Sequence, residues 1–247
     1  MYEFYAVTDR GCIRDNNEDG FLVQHYYSKE GEFYLHLEHP SWKIAVADGM
    51  GGAEAGEIAS SMTLKHLQQY QKPINEEAIK EINQSILNYG ESQSQHRGLG
   101  TTLTGLTNEN GELTFFHVGD SRLYRFRDGF LKQLSHDHSL VESLFQTGQI
   151  RRDEKRDHEK KHVILSCLGM DHARLKIEID TVRGAFELED LFLLCSDGLS
   201  DMLTDEQMEE VLKDNKPIRE KAQTLVEQAK LRGGEDNLTI ILVRKTK

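Results

Sequence analysis

The chain has few cysteines and few prolines. Three cysteines occur among 247 residues, Cys12, Cys167 and Cys195, and no two of them form a CxxC pair. This excludes a disulfide framework and a cysteine-based zinc site, and it favours reduced thiols in a reducing compartment. With three prolines and no glycine/serine-rich linker or internal repeat, we expect one compact domain spanning residues 1–247.

Positive charge is also scarce. Lysine and arginine number 30 against 42 acidic residues, which gives a formal net charge of −12. This balance argues against nucleic acid or a membrane as the partner. The longest apolar runs, LFLLC and LTIILV, are too short to cross a bilayer, and the N-terminus lacks the pattern of a signal peptide. We therefore expect a cytoplasmic protein.

Strand-like segments are rich in β-branched and aromatic residues and are bounded by Gly, Asp or Asn. They are EFYAVTD, FLVQHYY, KIAVAD, ELTFFHVGD, SRLYRFRDG, RLKIEIDTV, LFLLCSD and LTIILVRK. These strands come in consecutive groups, with helical patterns between two of the groups. The order favours antiparallel sheets with helices packed outside, rather than a parallel doubly wound sheet.

Helical segments follow from apolar residues at a spacing of three and four. One stripe comprises Ala55, Ile58, Ala59, Met62 and His66, and two more begin at Ile79 and Ile218. The segment TDEQ, residues 204–207, reads as a capping box that opens a fourth helix.

Acidic residues recur at the borders of the apolar strands. Asp48, Asp120 and Asp197 end strands, and Asp19 and Asp236 precede them. If these strand ends meet in space, the like charges either raise one another's pKa or bind hard divalent cations such as Mg²⁺ and Mn²⁺. The alternative for each position is an ordinary turn aspartate, since Asp-Gly is a common turn dipeptide.

Six motifs in order extend from about residue 8 to residue 243. They are RDNNEDGFLV, VADGMGGAEAGEIAS, GTTLTGL, FFHVGDSRLYRFRDG, LFLLCSDGLSDML and GGEDNLTIILV. In this order they resemble the metal-dependent protein phosphatases of type 2C, and the chain is similar to a bacterial single-domain member. The resemblance implies an α+β fold, a four-layer α-β-β-α sandwich of two antiparallel sheets flanked by helices. It also implies two cations, Mn²⁺ or Mg²⁺, in a cleft at one end of the sandwich.

The resemblance assigns roles to particular residues. Asp48 matches the carboxylate that bridges both cations, and Gly49 matches the position whose backbone carbonyl binds one of them. Asp197 and Asp236 match the carboxylates that hold one side of the pair. Together with Arg14, the three aspartates form the predicted catalytic set.

The resemblance also assigns roles to residues around this central set. Glu18 matches an acid that binds the other cation directly or through water, and Asp19 lies behind it. Asp120 matches the ligand of a third, weaker cation, with a turn aspartate as the alternative. Arg14 stands where the family places its phosphate-binding arginine, and a guanidinium suits that role because it offers planar, bidentate donors. Asn237 is expected to orient its loop through hydrogen bonds.

The predicted reaction is hydrolysis of phosphoserine and phosphothreonine on proteins by a hydroxide shared between two cations. A cysteine-nucleophile phosphatase is excluded because no cysteine has an arginine six residues later. By analogy we expect a Ser/Thr kinase and its substrates as partners, and a monomer. The alternative is a pseudophosphatase, or a phosphoprotein-binding regulator of a partner-switching pathway.

Two features concern substrate and proton transfer. Residues 138–165 match the family's flap, and the resemblance suggests that this charged segment helps to select substrates. Met50 occupies a position where many eukaryotic relatives have histidine. Because a thioether cannot donate a proton, the general acid must be another group.

Overall fold

Two antiparallel six-stranded sheets dominate the computed structural model, which describes residues 1–51, 55–93, 96, 98–188 and 190–246. Residues 52–54, within the VADGMGG-containing motif, lie outside the described part. The strands are β1 (Tyr2–Asp9), β2 (Gly20–Val23), β3 (Tyr26–Ser28), β4 (Gly31–Leu37), β5 (Trp42–Ala47), β6 (Gly49–Met50), β7 (Gly100–Thr101), β8 (Leu103–Glu109), β9 (Glu112–Val118), β10 (Arg122–Arg127), β11 (Phe130–Gln133), β12 (Glu178–Thr181), β13 (Leu191–Cys195) and β14 (Leu238–Lys245). The helices are α1 (Ala55–Gln69), α2 (Glu76–Ser92), α3 (Leu140–Gln146), α4 (Asp197–Ser200), α5 (Asp205–Lys213) and α6 (Ile218–Leu231).

The first sheet has the strand order β11-β10-β13-β14-β1-β4, and the second has the order β12-β9-β8-β5-β2-β3. A short pair, β6 with β7, stands apart from both sheets. All of the ladders are antiparallel, as the consecutive grouping of strands in the sequence predicts.

Three apolar layers hold the sandwich together. Alternate residues of both sheets, including Phe4, Trp42 and Phe192, meet in the central layer. The outer face of the first sheet packs against α5 and α6, and that of the second packs against α1 and α2. Because side chains alternate across a strand, each central strand can supply both layers. The predicted α-β-β-α sandwich is confirmed.

The predicted capping box is confirmed, and β10 and β11 form a hairpin. Thr204 caps α5 in a complete capping box with Gln207, and Asp128-Gly129 forms the turn between β10 and β11. Both turn residues have positive φ, 52° and 82°, as a tight hairpin turn requires. None of the helices in the described part of the chain combines the length and apolar character that a bilayer crossing needs.

Three local predictions were wrong. The run FLVQHYY is a hairpin rather than one strand, because the chain turns at Gln24, where φ is 57°. In RLKIEIDTV only Glu178–Thr181 forms a strand. The buried face of α1 includes Ala55, Ala59, Ser60, Thr63, Leu64 and Leu67, whereas His66 is exposed. Ser60 and Thr63 therefore occupy part of the buried face that the apolar stripe was expected to fill.

Candidate metal centre

A cleft of about 640 Å³ opens where the ends of four strands meet. Asp48 follows β5 and Asp197 follows β13, while Glu18 precedes β2 and Asp236 precedes β14. Since β5 pairs with β2, and β13 with β14, both members of each pair present their acids at the same edge. Arg14, Glu18, Asp48, Gly49, Asp197 and Asp236 all line the cleft.

Backbone contacts fix the turn that carries Asp48. Its amide donates to Thr102 Oγ1 at 3.0 Å, and its carbonyl accepts from Thr101 Oγ1 at 2.9 Å and from the Thr102 amide at 2.8 Å. The two threonines therefore hold the backbone of Asp48 through hydrogen bonds. A Cβ added at Gly49 would lie 2.1 Å from the carbonyl oxygen of Gly56, so only glycine fits at this position.

Asn237 fastens the loop between β1 and β2 at three points. Its side-chain amide donates to the carbonyls of Arg10 at 3.0 Å and Asn16 at 2.8 Å, and its Oδ1 accepts from the Glu18 amide at 2.8 Å. The predicted role of Asn237 in orienting a loop is confirmed. It positions Glu18 in particular.

Asp19 is buried behind the cleft and does not line it. Its Oδ2 accepts from the Ser196 hydroxyl at 2.7 Å, and the same Ser196 oxygen accepts from the Thr239 amide at 2.9 Å. Asp19 thereby connects the loop before β2 with β13 and β14. This is the indirect position that the sequence predicts for it.

The negative charges of these carboxylates are poorly offset by positive charges and hydrogen-bond donors. Burial, followed by the neighbouring aspartates, raises the pKa of Asp48 and of Asp197 well above the usual range. Burial likewise raises the pKa of Glu18, and it raises the pKa of Asp19 to about 6. One oxygen each of Asp19, Asp120 and Asp197 is buried and has no hydrogen-bond partner among the residues that the structure describes.

These observations fit hard divalent cations. A buried carboxylate oxygen without a donor is costly, and oxygen ligands are what Mg²⁺ and Mn²⁺ prefer. The raised pKa values of Asp48 and Asp197 have burial and neighbouring negative charge as their causes, and a bound cation would offset both. The residues present therefore match the group that the sequence predicts.

Asp120 faces an adjoining cavity of about 570 Å³, lined also by Asp197 and Asp201. Burial, with Asp137 adding to the effect, raises the pKa of Asp120 to about 7. Asp197 borders both spaces, so Asp120 stands next to the main cleft rather than within it.

Two further residues of the cleft are His162, from the flap, and Asp201. Their ligand atoms and one of Asp197 lie within 4.8 Å of one another, and His162 Nδ1 is 3.5 Å from Asp201 Oδ2. Neither residue was predicted individually from the sequence, although Asp201 lies four residues after Asp197, one helical turn away.

Comparison with known proteins identifies the family. The family model described as Protein phosphatase 2C matches residues 32–238. The chain belongs to this family. A serine/threonine phosphatase of Listeria monocytogenes is 37% identical over 96% of this chain and 94% of its own length. Protein phosphatase PhpP of Streptococcus pneumoniae is 34% identical over 98% of this chain and 96% of its own length.

Solved structures agree with this assignment. A serine/threonine phosphatase of S. agalactiae has a TM-score of 0.86 and 31% identity over the whole of both chains. The catalytic domain of PstP in complex with two manganese ions has a TM-score of 0.78 and 31% identity over 99% of both chains. The predicted type 2C protein phosphatase is confirmed, and the two manganese ions of the PstP structure agree with the two cations that the sequence predicts.

Proposed function

We propose that the cleft removes phosphate from phosphoserine and phosphothreonine in proteins. Asp48, the Gly49 carbonyl, Asp197 and Asp236 would hold two cations together with Glu18. When bound, Mn²⁺ or Mg²⁺ supplies positive charge for the phosphate and lowers the pKa of a bound water toward neutrality. The enzyme is a protein serine/threonine phosphatase.

This proposal rests on the excess of acidic over basic side chains that line the cleft. Seven carboxylates line the cleft: Asp15, Glu18, Asp48, Asp197, Asp201, Glu235 and Asp236. Arg14 is the single arginine or lysine among the described residues that line it. A phosphate dianion would be repelled from such a surface without cations. The cleft therefore suits a phosphate only when cations are present.

Arg14 is the group that we propose to hold the phosphoryl oxygens. Its Nη2 donates to Asp236 Oδ2 at 2.6 Å, and this hydrogen bond raises the pKa of the guanidinium. More than half of the Arg14 side chain remains exposed, so an incoming phosphate can reach it. Two oxygens of a phosphate can accept from the planar, bidentate donors of the guanidinium in place of the Asp236 carboxylate.

The leaving serine or threonine alkoxide needs a proton when its bond to phosphorus breaks. Met50 lines the cleft but has no proton to donate. We propose His162 as the donor, because its imidazole lies in the same cleft and has Asp201 beside it at 3.5 Å. Histidine is the usual general acid near neutral pH. The flap would then contribute a reacting group as well as substrate contacts.

The finer assignments rest on family resemblance and on sequence. We propose a Ser/Thr kinase and its substrates as partners, a monomeric enzyme in the cytoplasm, and substrate selection by the flap, residues 138–165, of a single catalytic domain. Asp120, with its unpartnered buried oxygen, is proposed to bind a third and weaker cation.

Hydrolysis assays with added Mn²⁺ test the proposal. We expect cation-dependent release of phosphate from an aryl phosphate and from a phosphothreonine peptide, and loss of at least 100-fold in Asp197→Asn. Asp214→Asn is the matched control, since Asp214 is an exposed aspartate paired with Lys216 outside the cleft. Binding of the phosphopeptide without turnover would favour the pseudophosphatase, and an unimpaired Asp197→Asn would refute the role of Asp197.

A further inference from the structure

A second group of metal-ligating side chains lies outside the cleft. His117 on β9, His138 and Glu178 on β12 each offer one ligand atom within 4.8 Å of the other two. His117 and Glu178 face each other in the β9–β12 register, and His138 lies at the first residue of the flap. None of the three lines the phosphatase cleft.

His138 carries an unexplained buried nitrogen. The residue is only 3% exposed, and its Nε2 has no hydrogen-bond partner among the described residues. Its Nδ1 accepts a long contact of 3.2 Å from the Gly119 amide. Because buried polar atoms are almost always paired, a free imidazole nitrogen beside a second histidine and a carboxylate indicates a ligand.

His117 and Glu178 are already oriented by outer contacts. The Nε2 of His117 lies 3.1 Å from the His136 carbonyl, and its Nδ1 lies 2.8 Å from Thr104 Oγ1. Thr104 has a second acceptor in the Ser121 carbonyl at 2.9 Å, so it can release His117 Nδ1 without losing all of its partners. An imidazole N–H donated to a backbone carbonyl is the usual support of a metal-bound histidine.

Glu178 is held in the same way. Its two carboxylate oxygens accept from the backbone amide of His136 at 3.0 Å and from His136 Nδ1 at 2.8 Å. Each oxygen keeps a further lone pair for a metal. His136 is thus a positioning residue for both His117 and Glu178.

We propose that His117, His138 and Glu178 bind a divalent transition metal of the zinc class. Two imidazoles and one carboxylate form a donor set typical of zinc, whereas Mg²⁺ and Ca²⁺ prefer oxygen alone. Burial keeps both imidazoles neutral by lowering the pKa of His117 and bringing that of His138 to about 3, and neutral imidazole is the ligand form. When His138 binds the metal through Nε2, its imidazole proton moves to Nδ1. The weak hydrogen bond that Nδ1 accepts from the Gly119 amide is then lost.

Such an ion would brace the base of the flap. The carbonyl of His138 accepts from the Leu165 amide at 2.7 Å, and the Leu140 amide donates to the Val163 carbonyl at 2.8 Å. The flap therefore starts and finishes beside His138. A metal on His138 would fasten both of its ends to β9 and β12. This inference is independent of the proposed phosphatase chemistry.

Cobalt titration in excess Mg²⁺ tests the site with a spectroscopic probe. Mg²⁺ occupies oxygen-rich sites, and Co²⁺ in a nitrogen-containing site gives visible absorption. We expect one equivalent of Co²⁺ to bind the wild-type protein with a visible band that Zn²⁺ removes, and Zn²⁺ to raise its Tm. His172→Gln is the control, because His172 is an exposed histidine that contacts Gln84.

Glu178→Gln and His138→Asn should each weaken Co²⁺ binding at least tenfold and abolish the Zn²⁺-dependent rise in Tm. Glu178→Gln preserves the size of a half-buried side chain, and unchanged aryl phosphatase activity with Mg²⁺ would show that it folds. Wild-type Co²⁺ affinity in both variants, or no visible band in the wild-type protein, would overturn the proposal.

Discussion

Neutralising Asp120 should stabilise the cation-free protein. Asp120 is 8% exposed, one of its oxygens has no partner, and burial raises its pKa from 3.8 to about 7. In the absence of cations this charge opposes folding. Asp120→Asn removes the charge while keeping the shape of the side chain.

The size and pH dependence of the effect follow from the pKa. A rise of ~3 pKa units corresponds to about 4 kcal/mol of unfolding free energy at pH 8. Because the folded-state pKa lies above the unfolded value, the native state binds the proton more readily. The penalty is therefore absent below pH 3.8, grows as the pH rises, and is complete above pH 7. We expect Asp120→Asn to gain roughly 2–4 kcal/mol at pH 8 and less than half of that at pH 5.

Chemical denaturation in EDTA at pH 5 and pH 8 measures this difference. The matched control is Asp137→Asn, a second buried aspartate of the adjoining cavity. Burial alone would raise the pKa of Asp137, but Arg122, paired with it at 2.6 Å, holds that pKa below its usual value. Removing one partner of a buried ion pair should cost roughly 3–5 kcal/mol. If Asp120→Asn gains no stability at pH 8, or gains equally at both pH values, the charge of Asp120 is not the cause.

Three further changes test the cleft. Gly49→Ala should lower stability by at least ~3 kcal/mol in thermal melts, because the added Cβ would lie 2.1 Å from a backbone oxygen; wild-type stability would contradict this. Met50→Ala should keep much of the phosphatase activity whereas Asp48→Ala abolishes it, and equal losses would be inconsistent with their assigned roles. His162→Gln should lower kcat for a phosphothreonine peptide roughly 100-fold and for an aryl phosphate much less, since a phenolate leaves without a proton. Similar losses on both substrates would exclude His162 as the general acid.

The sequence predicts the strongly apolar strands well, whereas β4 and β8 were not predicted as strands. β8 is buried in the middle of the second sheet, but its sequence LTGLTNE is half polar. β13 and β14 are apolar runs because both faces are covered, by the central layer and by helices. β4 was not predicted, because its residues are exposed or only half buried at the edge of the first sheet. Phe33, Leu35 and Leu37 nevertheless alternate with exposed residues and pack against the central layer, so β4 carries the period-2 pattern of a half-buried strand. Its pairing with β1 fixes its place in the sheet.

In the candidate site, residues that adjoin buried strands could be predicted, whereas a residue carried by a loop could not. Asp48, Asp197 and Asp236 are visible in the sequence because each adjoins a buried strand, whose end fixes the position of the acid. His162 approaches from the flap, so its place in the cleft depends on how a loop folds back.

The cleft is held together by contacts that need no cation. Thr101 and Thr102 fix the backbone of Asp48, and Asn237 fixes the loop of Glu18. The carboxylates can therefore remain close in spite of their repulsion, because the sheets and these hydrogen bonds oppose their separation. Burial, followed by the neighbouring aspartates, raises the pKa of Asp48 and of Asp197 in this arrangement. A cleft constrained in this way is preorganised, so binding energy from the cations need not be spent on assembling it.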